Sequence, residues 1–201
     1  MEPIPAWAVD AIIQAGRRMD QRGWVPATAG NISVRLGDGR IALTRSGGHK
    51  GFLEPDGVML VDGAGTPLTN ARPSAETLLH CQIYRLFGGA GAVLHGHSVP
   101  ATVLSMAGGD AIRFAGYELL KAFEGQTTHQ AALDLPIFDN DQDIGRLAAH
   151  IEPALPDCRL GYLIRGHGVY VWAPDMPAAL ARLEGLEFLL ACELERRRLP
   201  P

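Results

Sequence analysis

The chain has 201 residues, of which 47% are hydrophobic and 20% charged, and its formal net charge is −4. That length suffices for one domain with a sizeable core, and the balance is that of a globular protein rather than a disordered one. The net acidity argues against nucleic acid as a partner, since its binders carry a basic face, and no apolar run approaches the ~20 residues of a membrane span.

The N-terminus, Met1-Glu2-Pro3-Ile4-Pro5, lacks the basic start and apolar run of a signal peptide. Cys81, Cys158 and Cys192 are odd in number and widely spaced, so neither a disulfide framework nor a cysteine metal site is expected. Buried free thiols in a reducing, cytoplasmic setting are the expectation.

Ala6 to Gln21 spaces Val9, Ile12, Ile13 and Met19 as a helix that Gly23 closes. The pattern then becomes strand-like over Ile32–Leu36, Ile41–Thr44 and Val58–Val61, with Gly37-Asp38-Gly39 as a hairpin turn. Ser74 is expected to begin a helix running to about Phe87, with Leu78, Leu79, Ile83 and Leu86 inward. Ala92–His95 reads as a buried strand and Pro100–Met106 as a short helix.

Phe114–Glu124 is expected to be helical and Leu135–Phe138 extended, with Asp141 capping a helix to about Leu155. Gly161–Arg165 and Val169–Ala173 are two more strands. A long helix over 175–197 carries Met176, Leu180, Leu183, Leu186, Leu190 and Leu194 at steps of three and four. Its basic end, Arg196-Arg197-Arg198, complements the helix dipole. With no repeat or linker, residues 1–201 read as a single α/β domain, a central largely antiparallel sheet flanked by helices.

Three of the seven histidines stand out. His95 and His97 are two apart at the end of an apolar strand, so both rings point to one face. His167 lies between Gly166 and Gly168 at the junction of two strands, where the backbone can turn tightly. Three imidazoles with one position open suit a catalytic metal; the ligand type favours zinc, and iron or manganese would accept the same set. Cupins and carbonic anhydrases also use H-x-H but are nearly all strand, which the last helix contradicts. Amidohydrolase barrels need a longer chain. His80 and His150, on helices, read as structural or exposed, and His49 and His129 as lesser candidates in loops.

Two glycine-bearing segments, Thr28-Ala29-Gly30-Asn31 and Thr44-Arg45-Ser46-Gly47-Gly48-His49-Lys50-Gly51, offer hydroxyls, backbone N–H groups and cations to a phosphate. Ser74, at a helix start, would add a dipole of the correct sign. Glu76, in the first turn of that helix, is a candidate proton-transfer group whose plainer reading is a partner of the dipole. Glu118, in the apolar segment Gly116–Phe123, reads equally as an exposed helix glutamate or a functional one.

These residues resemble the class II aldolase and adducin-head superfamily. The resemblance rests on T-x-G-N-I-S at 28–33, T-x-S-G at 44–47, Ser74-x-Glu76, H-x-H at 95–97 and G-H-G at 166–168, and runs from about residue 5 to 195. More specific stretches fit a sugar-phosphate dehydratase branch: Gly116–Phe123, Thr127-Thr128-His129, Pro136–Ile144 and Leu183–Leu190.

The resemblance implies zinc, one per subunit, on His95, His97 and His167, and a phosphate cradle of Gly30, Asn31, Thr44, Ser46, Gly47, Lys50 and Ser74. It further implies Glu118 as acid/base with Glu76 as a competitor, a small phosphorylated ketose as substrate, and a homotetramer. Dehydration would take the C3 proton and expel the C4 hydroxyl as water. An aldolase would instead deprotonate the C4 hydroxyl and break C3–C4, and an epimerase would share the same metal. One departure is Gly96, where relatives often carry threonine, with added backbone freedom as its expected effect.

Overall fold

The computed structural model describes residues 3–200. Met1 and Glu2, on which part of the signal-peptide reading falls, and Pro201 at the end of the expected domain lie outside them.

Helix α1 (Ala6–Gln21) buries Ala8, Ile12, Ile13, Ala15 and Met19 at the helical spacing. Gly23, at φ 72°, turns the chain out of it. Strands β1 (Asn31–Arg35) and β2 (Ile41–Thr44) form the expected hairpin with Arg35 opposite Ile41, and β3 (Val58–Val61) pairs with β2. There follow α2 (Thr77–Leu86), β4 (Ala92–Gly96), α3 (Val99–Met106), β5 (Ala111–Ala115) and β6 (Ala132–Phe138). The chain ends with α4 (Ile144–Ile151), β7 (Tyr162–Ile164), β8 (Gly168–Ala173) and α5 (Met176–Arg196).

All the strands join one sheet in the order β3-β2-β1-β4-β8-β7-β6-β5, parallel only between β6 and β7. The largely antiparallel α/β sheet expected from the sequence is therefore present. Because strand side chains alternate in direction, the sheet has two apolar faces. On one, Ile32, Val34, Leu94 and Val171 meet α1 and the Leu183, Leu186 and Leu190 stripe of α5. On the other, Leu43, Val93, Tyr162 and Tyr170 meet Leu79 and Ile83 of α2 and Leu147 and Ile151 of α4.

Four local expectations are corrected. Helix α2 starts at Thr77 rather than Ser74, because Pro73 is held extended in a bridge to Arg45, and Ser74 only closes a turn by accepting from the Thr77 N–H at 3.2 Å. Leu78 is 43% exposed, since the buried stripe of α2 runs one residue later through Leu79, His80, Ile83 and Tyr84. The 114–124 segment is not an α-helix. Ile112 and Phe114 alternate with exposed neighbours in β5, Gly116 at φ 79° ends the strand, and a 3-10 turn covers Glu118–Ala122. Asp143, not Asp141, caps α4 by accepting from the Arg146 N–H at 3.0 Å, and the helix stops at Ile151, two residues before Pro153, giving way to a 3-10 turn.

Cys81 and Cys158 are buried free thiols, pushed by burial up to about 11 and about 12, while Cys192 is half-buried. No helix among the described residues is long and apolar enough to cross a membrane.

The inner stripe of α5 is interrupted by Glu187, 3% exposed, with neither carboxylate oxygen in a hydrogen bond. Burial pushes its carboxyl from 4.5 up to about 7. Between those values the folded chain keeps a proton that the unfolded chain has released, so this group's contribution weakens as pH rises from 4.5 through 7. Glu187→Gln should therefore raise the melting temperature above pH 7 and flatten its fall. Thermal melts from about pH 5 to 8 check this, and identical slopes for the two proteins would refute it.

Candidate metal centre and active site

The register across the sheet sets Asn31 opposite His95, His95 opposite Tyr170, and Tyr170 opposite Tyr162, so these four side chains share one row and one face. The rings use that alignment: His95 stacks on Tyr170 with centroids 4.1 Å apart, and Tyr170 on Tyr162 at 4.9 Å. His95 is fully buried, and its Nδ1 donates to the Val169 carbonyl at 2.9 Å. That leaves Nε2 with the lone pair and no hydrogen-bond partner.

His97 follows the end of β4, held by its N–H donating to the Trp24 carbonyl at 2.6 Å. His167 occupies the tip of the β7–β8 hairpin, where Gly166 takes φ 64° and the His167 N–H reaches the Ile164 carbonyl at 3.0 Å. Gly168 must be glycine, because a Cβ there would lie 3.0 Å from Cε1 of His95 and collide with the Gly96 backbone. The three imidazole centroids are 4.5, 5.0 and 4.6 Å apart, and one ring nitrogen from each lies within 4.8 Å of the others.

This donor set fits a metal ion. Nε2 of His95 and Nδ1 of His167 are buried without partners, and all three groups are imidazoles. Burial, reinforced by the neighbouring rings, pushes His95 down to about 4 and His97 down to about 3, so both present neutral nitrogens at pH 7.

Glu76 stands beside them, the residue immediately before α2 rather than in its first turn. Oε1 is 2.8 Å from Nε2 of His167, Oε2 is 3.4 Å from Nε2 of His95, and Oε2 accepts from Nδ2 of Asn31 at 2.5 Å. Burial opposes its charge, but His95, His167 and Asn31 more than offset this and hold the carboxyl well below the usual range.

The two loops expected to cradle phosphate come together over the histidines. Gly30, Asn31, Thr44, Ser46, Gly47, Lys50 and Ser74 line one cleft of about 270 Å³ with Glu76, His97 and His167. Gly30, at φ 76°, lies so close to β4 that a Cβ would be 2.7 Å from the His95 carbonyl. Lys50 is 2% exposed and donates to the Thr28 and Gly48 carbonyls at 2.7 Å each, tying the loops together. Burial pushes it down to about 8, against the attraction of Glu76, so it remains cationic at pH 7. The Thr44 hydroxyl accepts from the Ile32 N–H at 3.2 Å and braces β1. Ser74 contributes its hydroxyl but not a helix terminus, since α2 begins three residues later.

Glu118 lies elsewhere. Its side chain is 69% exposed, paired with Lys121, which holds the carboxyl below the usual range, and 4.0 Å from His129. It lines a separate groove of about 1090 Å³ with Trp24, Ser98, Tyr117 and Phe188, and that groove shares no lining residue with the cleft. Within one chain Glu118 is not brought to the histidines. His49 also stays outside the cleft lining: it accepts from the Gly51 N–H at 3.2 Å and packs on Phe52. His150 and His129 are exposed.

Sequence reasoning missed the second layer behind Glu76, formed by Ser33, His80 and Tyr84. Its signal was available: His80 and Tyr84 follow Glu76 at steps of four along α2, and Asn31 and Ser33 are two apart on one strand face.

Changing His95, His97 or His167 singly to alanine should remove most of the bound metal from the purified protein. Elemental analysis of the three variants beside the parent checks this, and full metal content in all three would break the assignment.

The Class II Aldolase and Adducin N-terminal domain profile matches residues 10–194. A methylthioribulose-1-phosphate dehydratase of Granulibacter bethesdensis is 70% identical over 97% of this chain and 94% of its own length. The enzyme of the same name from Azotobacter vinelandii is 52% identical over 99% and 98%. Among solved structures, L-fuculose-1-phosphate aldolase from Thermus thermophilus superposes with a TM-score of 0.78 at 25% identity, over 96% of this chain and 95% of that one. On its metal-site motifs, its sheet and these matches, the chain belongs to the class II aldolase and adducin N-terminal domain family.

Proposed function

We propose that this chain removes water from 5-methylthioribulose 1-phosphate, yielding 2,3-diketo-5-methylthiopentyl 1-phosphate, as a zinc-dependent hydro-lyase of methionine salvage. The observation that carries the reading is the cleft in which an anion cradle opens directly onto the three-histidine cluster. The dehydratase name of the 70% identical relative selects the substrate among phosphorylated ketoses.

His95, His97 and His167 would hold a zinc ion, which would supply a Lewis acid at the floor of the cleft. The chain's own residues do the rest. The Lys50 ammonium, the Ser46 and Ser74 hydroxyls and the loop around Gly47 hold the phosphate, which fixes the sugar carbons relative to the histidines. Dehydration requires a base for the C3 proton and an acid for the departing C4 oxygen. Glu76, anionic beside His95 and His167, is the carboxylate that lines this cleft. Glu118 is the principal acid/base in this proposal, and its exposure is consistent with a side chain that serves the cleft of a neighbouring subunit. A cyclic homotetramer supplies that neighbour.

Glu76 is also the observation that favours a second reading. A carboxylate at the metal cluster suits a sugar-phosphate aldolase or epimerase, and the T. thermophilus neighbour carries an aldolase name.

Incubation with 5-methylthioribulose 1-phosphate should give a diketone phosphate that keeps every substrate carbon. Dihydroxyacetone phosphate among the products would instead establish cleavage. Glu118→Gln should lower turnover by about 10² to 10⁴ with metal content unchanged, and Glu76→Gln should be milder. The reverse order would transfer the proton-transfer role to Glu76. Light scattering should report a tetramer at micromolar concentration, and a stable monomer would remove the means of bringing Glu118 to a cleft.

A further inference from the structure

A buried chain of side-chain hydrogen bonds leads from Glu76 away from the cleft into the core between the sheet and α2, and the proposed chemistry uses none of its far members. Asn31, 2% exposed, points Nδ2 at Oε2 of Glu76 (2.5 Å) and at the Ser74 hydroxyl (3.2 Å). An ionised carboxylate only accepts, so the amide NH₂ is fixed on that side and the amide oxygen faces the other way, onto Nε2 of His80. An amide oxygen also only accepts, so Nε2 of His80 carries the ring proton. Nδ1 is then the acceptor, 2.7 Å from the Ser33 hydroxyl, which in turn accepts from the Tyr84 hydroxyl at 2.8 Å. The donors all point one way, from Tyr84 through Ser33, His80 and Asn31 to Glu76. Ser33 and His80 are wholly buried, and burial pushes the His80 ring down to about 4, so it is neutral at pH 7 as this order of donors requires.

We propose that His80 is a positioning residue, whose Nε2–H locks the Asn31 carboxamide so that its NH₂ joins the metal-site carboxylate Glu76 to the phosphate-cradle hydroxyl of Ser74. A flipped carboxamide would set its oxygen against a carboxylate oxygen at hydrogen-bonding distance and turn its NH₂ away from Ser74. Glu76 holds the amide from its NH₂ side, and among the described residues His80 is the one hydrogen-bond partner that holds it from its oxygen side. His80 lies one helical turn after Glu76, so the helix that delivers the carboxylate also delivers the group that fixes its donor. The proposal rests on the reading of Glu76 as part of the active site.

Histidine-ring ¹H–¹⁵N correlation spectra of the metal-free protein test it without substrate. His80 should show the neutral tautomer protonated at Nε2 throughout pH 6 to 8, and a charged ring or the Nδ1–H tautomer would overturn the proposal. His80→Leu removes the donor, and His80→Gln keeps an N–H that can reach Asn31. With folding and metal content verified, His80→Leu should lower kcat on 5-methylthioribulose 1-phosphate by about 10- to 100-fold, and His80→Gln should recover most of the loss. Unchanged kcat in folded His80→Leu, or equal losses in both variants, would make His80 merely structural and refute the role. If His80→Leu does not fold, the tautomer in the unaltered protein and the kcat of His80→Gln still decide. If the unaltered protein does not turn over this substrate, the functional reading fails while the tautomer still tests the hydrogen-bond chain.

Discussion

Glu76 has a side chain only 13% exposed, and taking an isolated carboxylate that far out of water costs several kcal/mol unless other groups replace the lost hydration. Here the replacement is specific. Asn31 donates to one oxygen, the His167 ring meets the other, and the buried Lys50 ammonium adds an attraction that both groups feel. The position just before α2 adds the favourable end of a helix dipole. The same burial that threatens the carboxylate keeps His95 and His97 uncharged. The result is one anion set beside three imidazoles, with Nε2 of His95 and Nδ1 of His167 left without partners, which is the arrangement a divalent cation completes.

That arrangement depends on strand register and on three close backbone approaches. His95 faces Asn31 on one side and Tyr170 on the other because β4 lies between β1 and β8, although these strands are far apart in sequence. Gly30 and Gly168 allow the neighbouring segments to pass where a Cβ would strike β4. Gly96 belongs with them. Between the two histidines it lies in the strand, where a Cβ would be 3.2 Å from the Trp24 carbonyl and 3.3 Å from Cε of Met19. A side chain at this position would press on the end of α1 and the loop after it, which would have to give by a few tenths of an ångström.

The parts legible in the sequence are those whose signal is local. Short apolar runs bounded by turn residues marked β1, β2, β4 and β8, the steps of three and four in α5 marked the last helix, and G-H-G and H-x-H announced their own turns and faces. The errors arose where a neighbour in space decides. Ser74 reads as a helix start, yet the bridge from Pro73 to Arg45 keeps the chain extended. The 114–124 segment has helix-compatible residues, but its first part is recruited as an edge strand by β6, with Phe114 opposite Leu133. His80 reads as an ordinary helix histidine. Only the meeting of α2 with β1 turns a spacing of four on one and two on the other into a single hydrogen-bonded chain.

Glu118 carries the remaining tension between sequence and structure, and its resolution is physical. An acid/base must lie within hydrogen-bond reach of the proton it moves, and a carboxylate 69% open to water and paired with Lys121 is tuned to stay charged where it is. Its groove also collects exposed apolar side chains, Val99 and Phe188 among them, beside the uncompensated Glu187 carboxyl. A lone subunit gains nothing from any of these features. Covering the groove with a neighbouring subunit, as in the proposed tetramer, would bury the apolar side chains, strip water from Glu118 and raise its proton affinity. The chemistry assigned to Glu118 and the assembly thus stand or fall together: if the chain acts as a monomer, the proton transfers have to be carried by Glu76, inside the cleft and already beside the three histidines.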